Sequence, residues 1–254
     1  MSTNQIKLET VLRPKISVCM ASYNGEKFIS RQLTTILRQL RPDDEVIISD
    51  DSSSDKTLEI IQAFGDKRIR LFVGKTFRSP TYNFEYALKQ ASGDVIFLSD
   101  QDDEWVDGWV ETGLMALQQV SLVVCDADII DADGRLQSTS QGPIYRYGGR
   151  KPGVIQNLYR NGYIGCCCAF RREVLDMALP FPAKLPWHDW WIGLVSDAFF
   201  STRFISNKMV RYRRHGANAS PTGAESPFTL WRKFEMRTRI VMALTRRHLR
   251  RRTV

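Results

Sequence analysis

The chain of 254 residues carries no paired-cysteine motif. Its cysteines are Cys19, Cys125 and the consecutive Cys166, Cys167 and Cys168. An odd number with three in a row is not a disulfide framework, and without a CxxC pair zinc-ribbon spacing is excluded. Such a set fits a reducing compartment. No apolar run approaches the length of a membrane-spanning helix. The opening MSTNQIKLETVLRPK lacks the apolar stretch of a secretion signal, so a cytoplasmic chain is expected. GxGxxG and GxxxxGKS/T are both absent, which argues against dinucleotide oxidoreductases and P-loop enzymes. No internal repeat is visible.

What is present is an ordinary globular balance, with 43% hydrophobic and 25% charged residues. The length suits one large α/β domain, or one with a small appendage. The net charge of +8 points to a polyanionic partner: nucleic acid, anionic lipid or a phosphorylated substrate. The charge is uneven. From Arg232 to Arg252 the lone acid is Glu235, whereas the middle of the chain is rich in aspartate.

The first half alternates strand and helix. Ile16 to Ala21 reads as a buried strand, Asn24-Gly25 as a turn, and Glu26 to Leu40 as a helix with apolar residues three and four apart. Strands follow at Glu45–Ser49, Ile69–Val73, Val95–Leu98 and Leu122–Cys125, with helices at Lys56–Phe64 and Asn83–Gln90. Uniformly apolar strands between helices predict a Rossmann-like, mostly parallel sheet with helices on both faces. The glycine-rich stretch 141–153 predicts a mobile loop. A domain of residues 1–225 is expected, with a nucleotide half at about 14–140 and an acceptor half at about 141–225, followed by a basic helix over 226–254.

In such sheets ligands bind at the carboxyl ends of the strands. Asp50-Asp51 and Asp100-Gln101-Asp102-Asp103 both fall there. Three carboxylates in four residues repel one another unless a cation sits among them. Oxygen ligands of this kind suit magnesium or manganese together with substrate phosphates. A plain acidic loop or helix cap is the simpler reading of the same string. A carboxylate at Asp50-Asp51 can accept from a pyrimidine N3–H or a ribose hydroxyl, or it can merely close a turn. His188-Asp189-Trp190-Trp191 is a second dense site. Burial there would raise the pKa of Asp189 and suit it to general-base work. The tryptophans offer flat faces for a sugar ring, and the alternative is a helix cap packed through Trp191.

Together these stretches resemble glycosyltransferase family 2, the inverting family with the GT-A fold. ISVCMASYNGEKF is similar to its opening strand and turn. EVIISDDSSSDKT is similar to its DDGSTD segment, with Ser52 where glycine is usual. VIFLSDQDDEW is similar to its metal-binding DxD segment. GCCCAFRREVL with HDWW resembles the acceptor region, and VRYRRHGANAS the terminal Tyr-Arg-x-His element. The DQDD-x-W and HDWW spellings look most like its rhamnosyltransferase branch. The resemblance implies that Ala21, Tyr23, Asn24, Asp50, Asp51, Asp100 and Gln101 line the nucleotide site. It implies Asp100 and Asp102 as metal ligands, with His215 as a further metal or phosphate contact. Asp189 becomes the catalytic base, with His188, Trp190 and Trp191 on the acceptor side. The implied reaction inverts a sugar transferred from dTDP-rhamnose or a UDP-hexose to a glycan or lipid-linked acceptor of a bacterial surface polysaccharide.

The basic tail, Trp231 to Arg252, places Phe234, Ile240, Val241, Leu244 and Leu249 among arginines. A basic amphipathic helix suits an anionic membrane surface, where lipid-linked acceptors reside. A solvated helix packed on the domain is the alternative. No recognition motif supports nucleic-acid binding. Two rival functions stay open: a nucleotidyltransferase, and a non-catalytic nucleotide- or glycan-binding module.

Overall fold

The computed structural model describes residues 13–139, 153–159, 161–216 and 229–252. The expected mobile loop lies outside these residues apart from Gly153.

The first strand, β1 (Ile16–Ser22), is buried along nearly its whole length and pairs in parallel with β2 (Glu45–Asp50) and β4 (Val95–Asp100). β3 (Ile69–Phe72) extends the parallel set beyond β2. Crossovers through α1 (Ile29–Leu37), α2 (Thr57–Ala63) and α3 (Pro80–Lys89) make this arrangement possible. α1 spans less than its apolar pattern implied. Gly25 O accepts from the N–H groups of Phe28 and Ile29, both at 3.0 Å, so residues 26–28 form the entering turn. At its far end the Arg68 guanidinium donates to Leu37 O and Leu40 O at 2.8 and 2.7 Å, satisfying carbonyls that the helix cannot. α3 begins earlier than predicted because Pro80 fits the first helical turn, where no N–H is needed.

The rest of the sheet runs β3-β2-β1-β4-β8-β6-β9-β5, with β7 (Leu136–Thr139) beside β6. β5 is Glu104–Trp105, β6 is Leu122–Ile130, β8 is Cys168–Arg171 and β9 is Thr202–Arg213. The expected α/β sheet of GT-A type is therefore present, with helices around it. The short strand β8 lies antiparallel between β4 and β6. β6 does not stop at Cys125: it continues through a register shift at Asp126 to Ile130, paired in parallel with β9. The remaining helices are α4 (Trp109–Leu117), α5 (Val154–Tyr159), α6 (Arg172–Ala178), α7 (His188–Phe199) and α8 (Leu230–Arg252).

Candidate active site

Strand register assembles the site. Ser22 lies opposite Asp50 on one side of β1, and Ala21 opposite Asp100 on the other. The two acidic clusters therefore flank one strand end. On the far side of β4, Phe97 pairs with Ala169 in antiparallel register. Continuing that register brings Cys166 toward Asp100. Oxygens of Asp100 and Asp103 and the Cys166 sulfur in fact lie within 4.8 Å of one another.

Asp50 is buried and fully engaged. Ser22 Oγ donates to it at 2.8 Å, Ser53 N at 2.8 Å and Ser53 Oγ at 2.6 Å. Its carboxylate holds the turn that presents Asp51. Asp51 Oδ1 accepts from the backbone N–H groups of Phe77 and Arg78. Ser52 adopts φ 63°, the left-handed conformation that favours the family's usual glycine. Its hydroxyl bonds Lys75 O at 3.0 Å and Thr76 Oγ1 at 2.7 Å, which offsets the strain of a side chain there.

The loop after β1 is tied down from both sides. Tyr23 N donates to Gln101 Oε1, and Gln101 Nε2 returns a bond to Tyr23 O, both at 2.9 Å. A Cβ at Gly25 would fall 2.3 Å from that same Oε1, so the glycine makes room for the clamp. Asn24, at φ 47°, donates its N–H to Ser53 Oγ and accepts Ser54 N on its side-chain oxygen. The Tyr23 ring is left exposed at the cleft edge.

The carboxylates after β4 differ in environment. Asp102 Oδ2 lies 2.8 Å from His215 Nε2, so the last strand brings these two candidate ligands together. Asp103 is only 1% exposed. Its Oδ1 accepts Arg213 N at 2.8 Å, and its Oδ2 has no hydrogen-bond partner among the described residues. Burial, together with Asp102 and Asp100, pushes the Asp103 carboxyl well above the usual range. Burial, then Asp102 and Asp189, raise Asp100 to about 7. Such mutual repulsion around an orphaned oxygen fits a divalent cation.

Asp189 opens α7, with Oδ1 accepting Trp190 N at 2.6 Å and Asn161 Nδ2 at 3.4 Å. Gly165 lets this turn approach the cluster: a Cβ there would meet His188 Nε2 at 2.8 Å and Asp189 Cβ at 3.6 Å. The neighbours of Asp189 are not acceptor contacts, and here the expectation is corrected. Trp190 and Trp191 are 5% and 0% exposed, and their ring N–H groups donate to Asn157 O and Ala178 O. His188 stacks on Phe84 with ring centroids 4.0 Å apart, and burial pulls its pKa down to about 3. Its ring is therefore neutral beside Asp189.

Sequence reasoning passed over several supporting groups. Arg213 is buried and donates to Asp102 O, Asp131 O, Ala132 O and Glu104 Oε1, fixing the loop from behind. Gln32 Nε2 donates to Ser99 Oγ and Asp100 O. A polar residue on the buried face of α1 was the available signal for Gln32. Cys166 carried none, being one of three identical neighbours.

The sheet order and the clustered carboxylates at its carboxyl edge define the GT-A class of fold. Residues 17–178 match the family described as Glycosyl transferase family 2, and the chain belongs to it. An uncharacterized glycosyltransferase of Nostoc sp. is 28% identical over 84% of this chain and 68% of its own length. The UDP-Glc:α-D-GlcNAc-diphosphoundecaprenol β-1,3-glucosyltransferase of Escherichia coli is 28% identical over 72% of this chain and 70% of its own. Among solved structures, Staphylococcus aureus TarS in complex with UDP-GlcNAc superposes with a TM-score of 0.71 at 18% identity, over 90% of this chain and 66% of that one. A mannosyltransferase of Pyrobaculum calidifontis, in complex with GDP-Man and Mn2+, gives 0.60 at 19% identity, over 77% and 56%. The chain thus spans about two thirds or less of these solved chains.

Proposed function

We propose that this glycosyltransferase moves a hexosyl group from a UDP-sugar to a lipid-linked glycan of a bacterial surface polysaccharide, with inversion at the anomeric carbon. The observation that carries the reading is the convergence of Asp189, at the start of α7, on the carboxylates that end β4. Of the two donor classes the sequence left open, the UDP-Glc-dependent Escherichia coli relative favours UDP-hexose over dTDP-rhamnose.

In this reading Tyr23 and Asp51 hold the nucleoside, on a loop kept in place by Gln101 and Asn24. Asp100, Asp102 and His215 would hold magnesium or manganese. When bound, that ion would offset charge on the departing diphosphate. Asp189 accepts the proton of the acceptor hydroxyl, whose oxygen attacks opposite the nucleotide. Asn161 and the N–H of Trp190 keep the carboxylate oriented for that transfer. A module that only bound nucleotides or glycans would not need a base beside the acidic cluster. The acceptor would meet the enzyme at the cytoplasmic face of an anionic membrane, with α8 lying on the surface.

The test is transfer of labelled hexose from UDP-glucose, UDP-galactose or dTDP-rhamnose to a polyprenyl-diphosphate glycan, with manganese or with excess EDTA. Transfer from one UDP-hexose, lost in EDTA and restored by manganese, is expected. Full activity in EDTA would refute the metal assignment. Transfer from dTDP-rhamnose alone would refute the donor assignment.

A further inference from the structure

The cluster at the end of β4 contains a sulfur as well as oxygens. Cys166 is fully buried in the short helical turn Gly165–Cys167, just before β8. The β4–β8 register carries it to Asp100, and its sulfur lies within 4.8 Å of oxygens from both Asp100 and Asp103. A second observation marks this as a ligand position. Asp103 is almost wholly buried, its Oδ1 is taken by Arg213 N, and its Oδ2 has no hydrogen-bond partner among the described residues. A buried carboxylate oxygen without a partner is costly, and a cation is one of the few groups that can satisfy it.

We propose that Asp100, Asp103 and Cys166 form a mixed oxygen–sulfur site that takes a thiophilic divalent cation, zinc or cadmium. The chemistry of the donor set decides the class of ion. Magnesium and manganese favour oxygen ligands, while thiolate favours zinc and softer ions. Binding replaces the S–H bond of Cys166 with a sulfur–metal bond and releases the proton to solvent. Asp100 is only partly buried, so the ion has a route from the cleft. Among the described residues only the Cys166 sulfur joins the Asp100 and Asp103 oxygens within that distance, whereas Cys168 donates its S–H to Ile164 O at 3.2 Å. A cation so held would sit at the floor of the donor cleft and compete with a magnesium- or manganese-loaded state.

This inference goes beyond the transfer reaction and does not depend on it. The probe is cadmium alone, titrated into the metal-free full chain without donor or acceptor. The ultraviolet cadmium–thiolate charge-transfer band is the readout. One ion per chain and a saturating band are expected. Cys166→Ala should abolish the band and weaken retention by about 100-fold or more, since losing even an outer-shell partner costs about 10–100-fold. Cys167→Ala and Cys168→Ala should keep it. Cys166→Ser, closer in size, guards against a folding defect, which circular dichroism would reveal. Asp103→Asn should keep the band but weaken binding. A wild-type chain without the band, or a Cys166→Ala chain that retains it, would overturn the proposal and leave the transfer reading untouched.

Discussion

Asp197, on α7, shows how a single carboxyl is tuned by its surroundings. Tyr163 Oη donates to it at 2.8 Å and Asn157 Nδ2 at 3.2 Å, yet burial outweighs both and raises its pKa to about 6. Between about pH 4 and 6 the folded chain therefore binds more protons here than the unfolded chain. Its contribution to stability falls as pH rises through that window and levels off above it. Asp197→Asn keeps an acceptor for Tyr163 and removes the titration. The variant should gain stability over wild type as pH rises from about 4 to 6, with a constant gap beyond. Urea denaturation at several pH values would measure this, and a gap independent of pH would contradict it. His188 shows the same force on a base: burial beneath the Phe84 stack favours the neutral ring and pulls its pKa down to about 3. At this scale the motif HDWW was only partly legible. The sequence placed Asp189 at a helix start, but it could not say which of its neighbours faced the cleft. The spacing of Trp190 and Trp191 suited a sugar platform and a core equally well, and the helix phase that decided for core depends on packing against α5 and α6.

Among the elements, α8 divides its surface three ways. Ile240 and Leu244 are buried against the domain. Arg237, Arg247 and Arg251 reach across to the carbonyls of Leu158, Tyr159, Ala178, Pro180 and Phe199. Leu230, Trp231, Phe234, Val241, Met242 and Leu249 are exposed. By the 3.6-residue repeat they fall within an arc of about 120°. Arg232, Arg239 and Arg246 run along the edge of that arc. One face of the helix packs on the domain, as the second reading of the basic tail expected, and another faces out. No described helix is long and apolar enough to cross a membrane. In the membrane role proposed above, the exposed apolar stripe would enter the interface of an anionic bilayer and each flanking arginine would add roughly 1 kcal/mol. Trp231→Ser with Phe234→Ser should weaken binding to phosphatidylglycerol vesicles while leaving the melting temperature nearly unchanged. Leu244→Ala should do the reverse, costing about 2–5 kcal/mol of stability. Vesicle co-sedimentation beside thermal melts separates the two, and equal vesicle binding by the double variant would refute the membrane role. The strands β1 to β4 were legible because apolar runs between helices admit few other readings. β8 was not: four residues of CAFR give no period, and only pairing with β4 and β6 makes them a strand.

For the whole molecule, the sheet places two acidic strand ends on either side of β1, and the turn before β8 and the start of α7 then bring Cys166 and Asp189 to the same edge. The chain order of the motifs made the family recognisable, because each one marks a turn at the same sheet edge. Distances between them were beyond the sequence, including the pairing of Asp102 with His215 across 113 positions. The account stands or falls on Asp189 acting as the base beside that edge. The direct measurement is Asp189→Asn, with turnover and donor affinity determined on the same protein. The substitution preserves shape and removes basicity, so donor affinity should stay close to wild type while turnover drops by about 100-fold or more. Turnover within a few-fold of wild type would contradict the account and move the search for the base to another carboxylate, with Asp103 first.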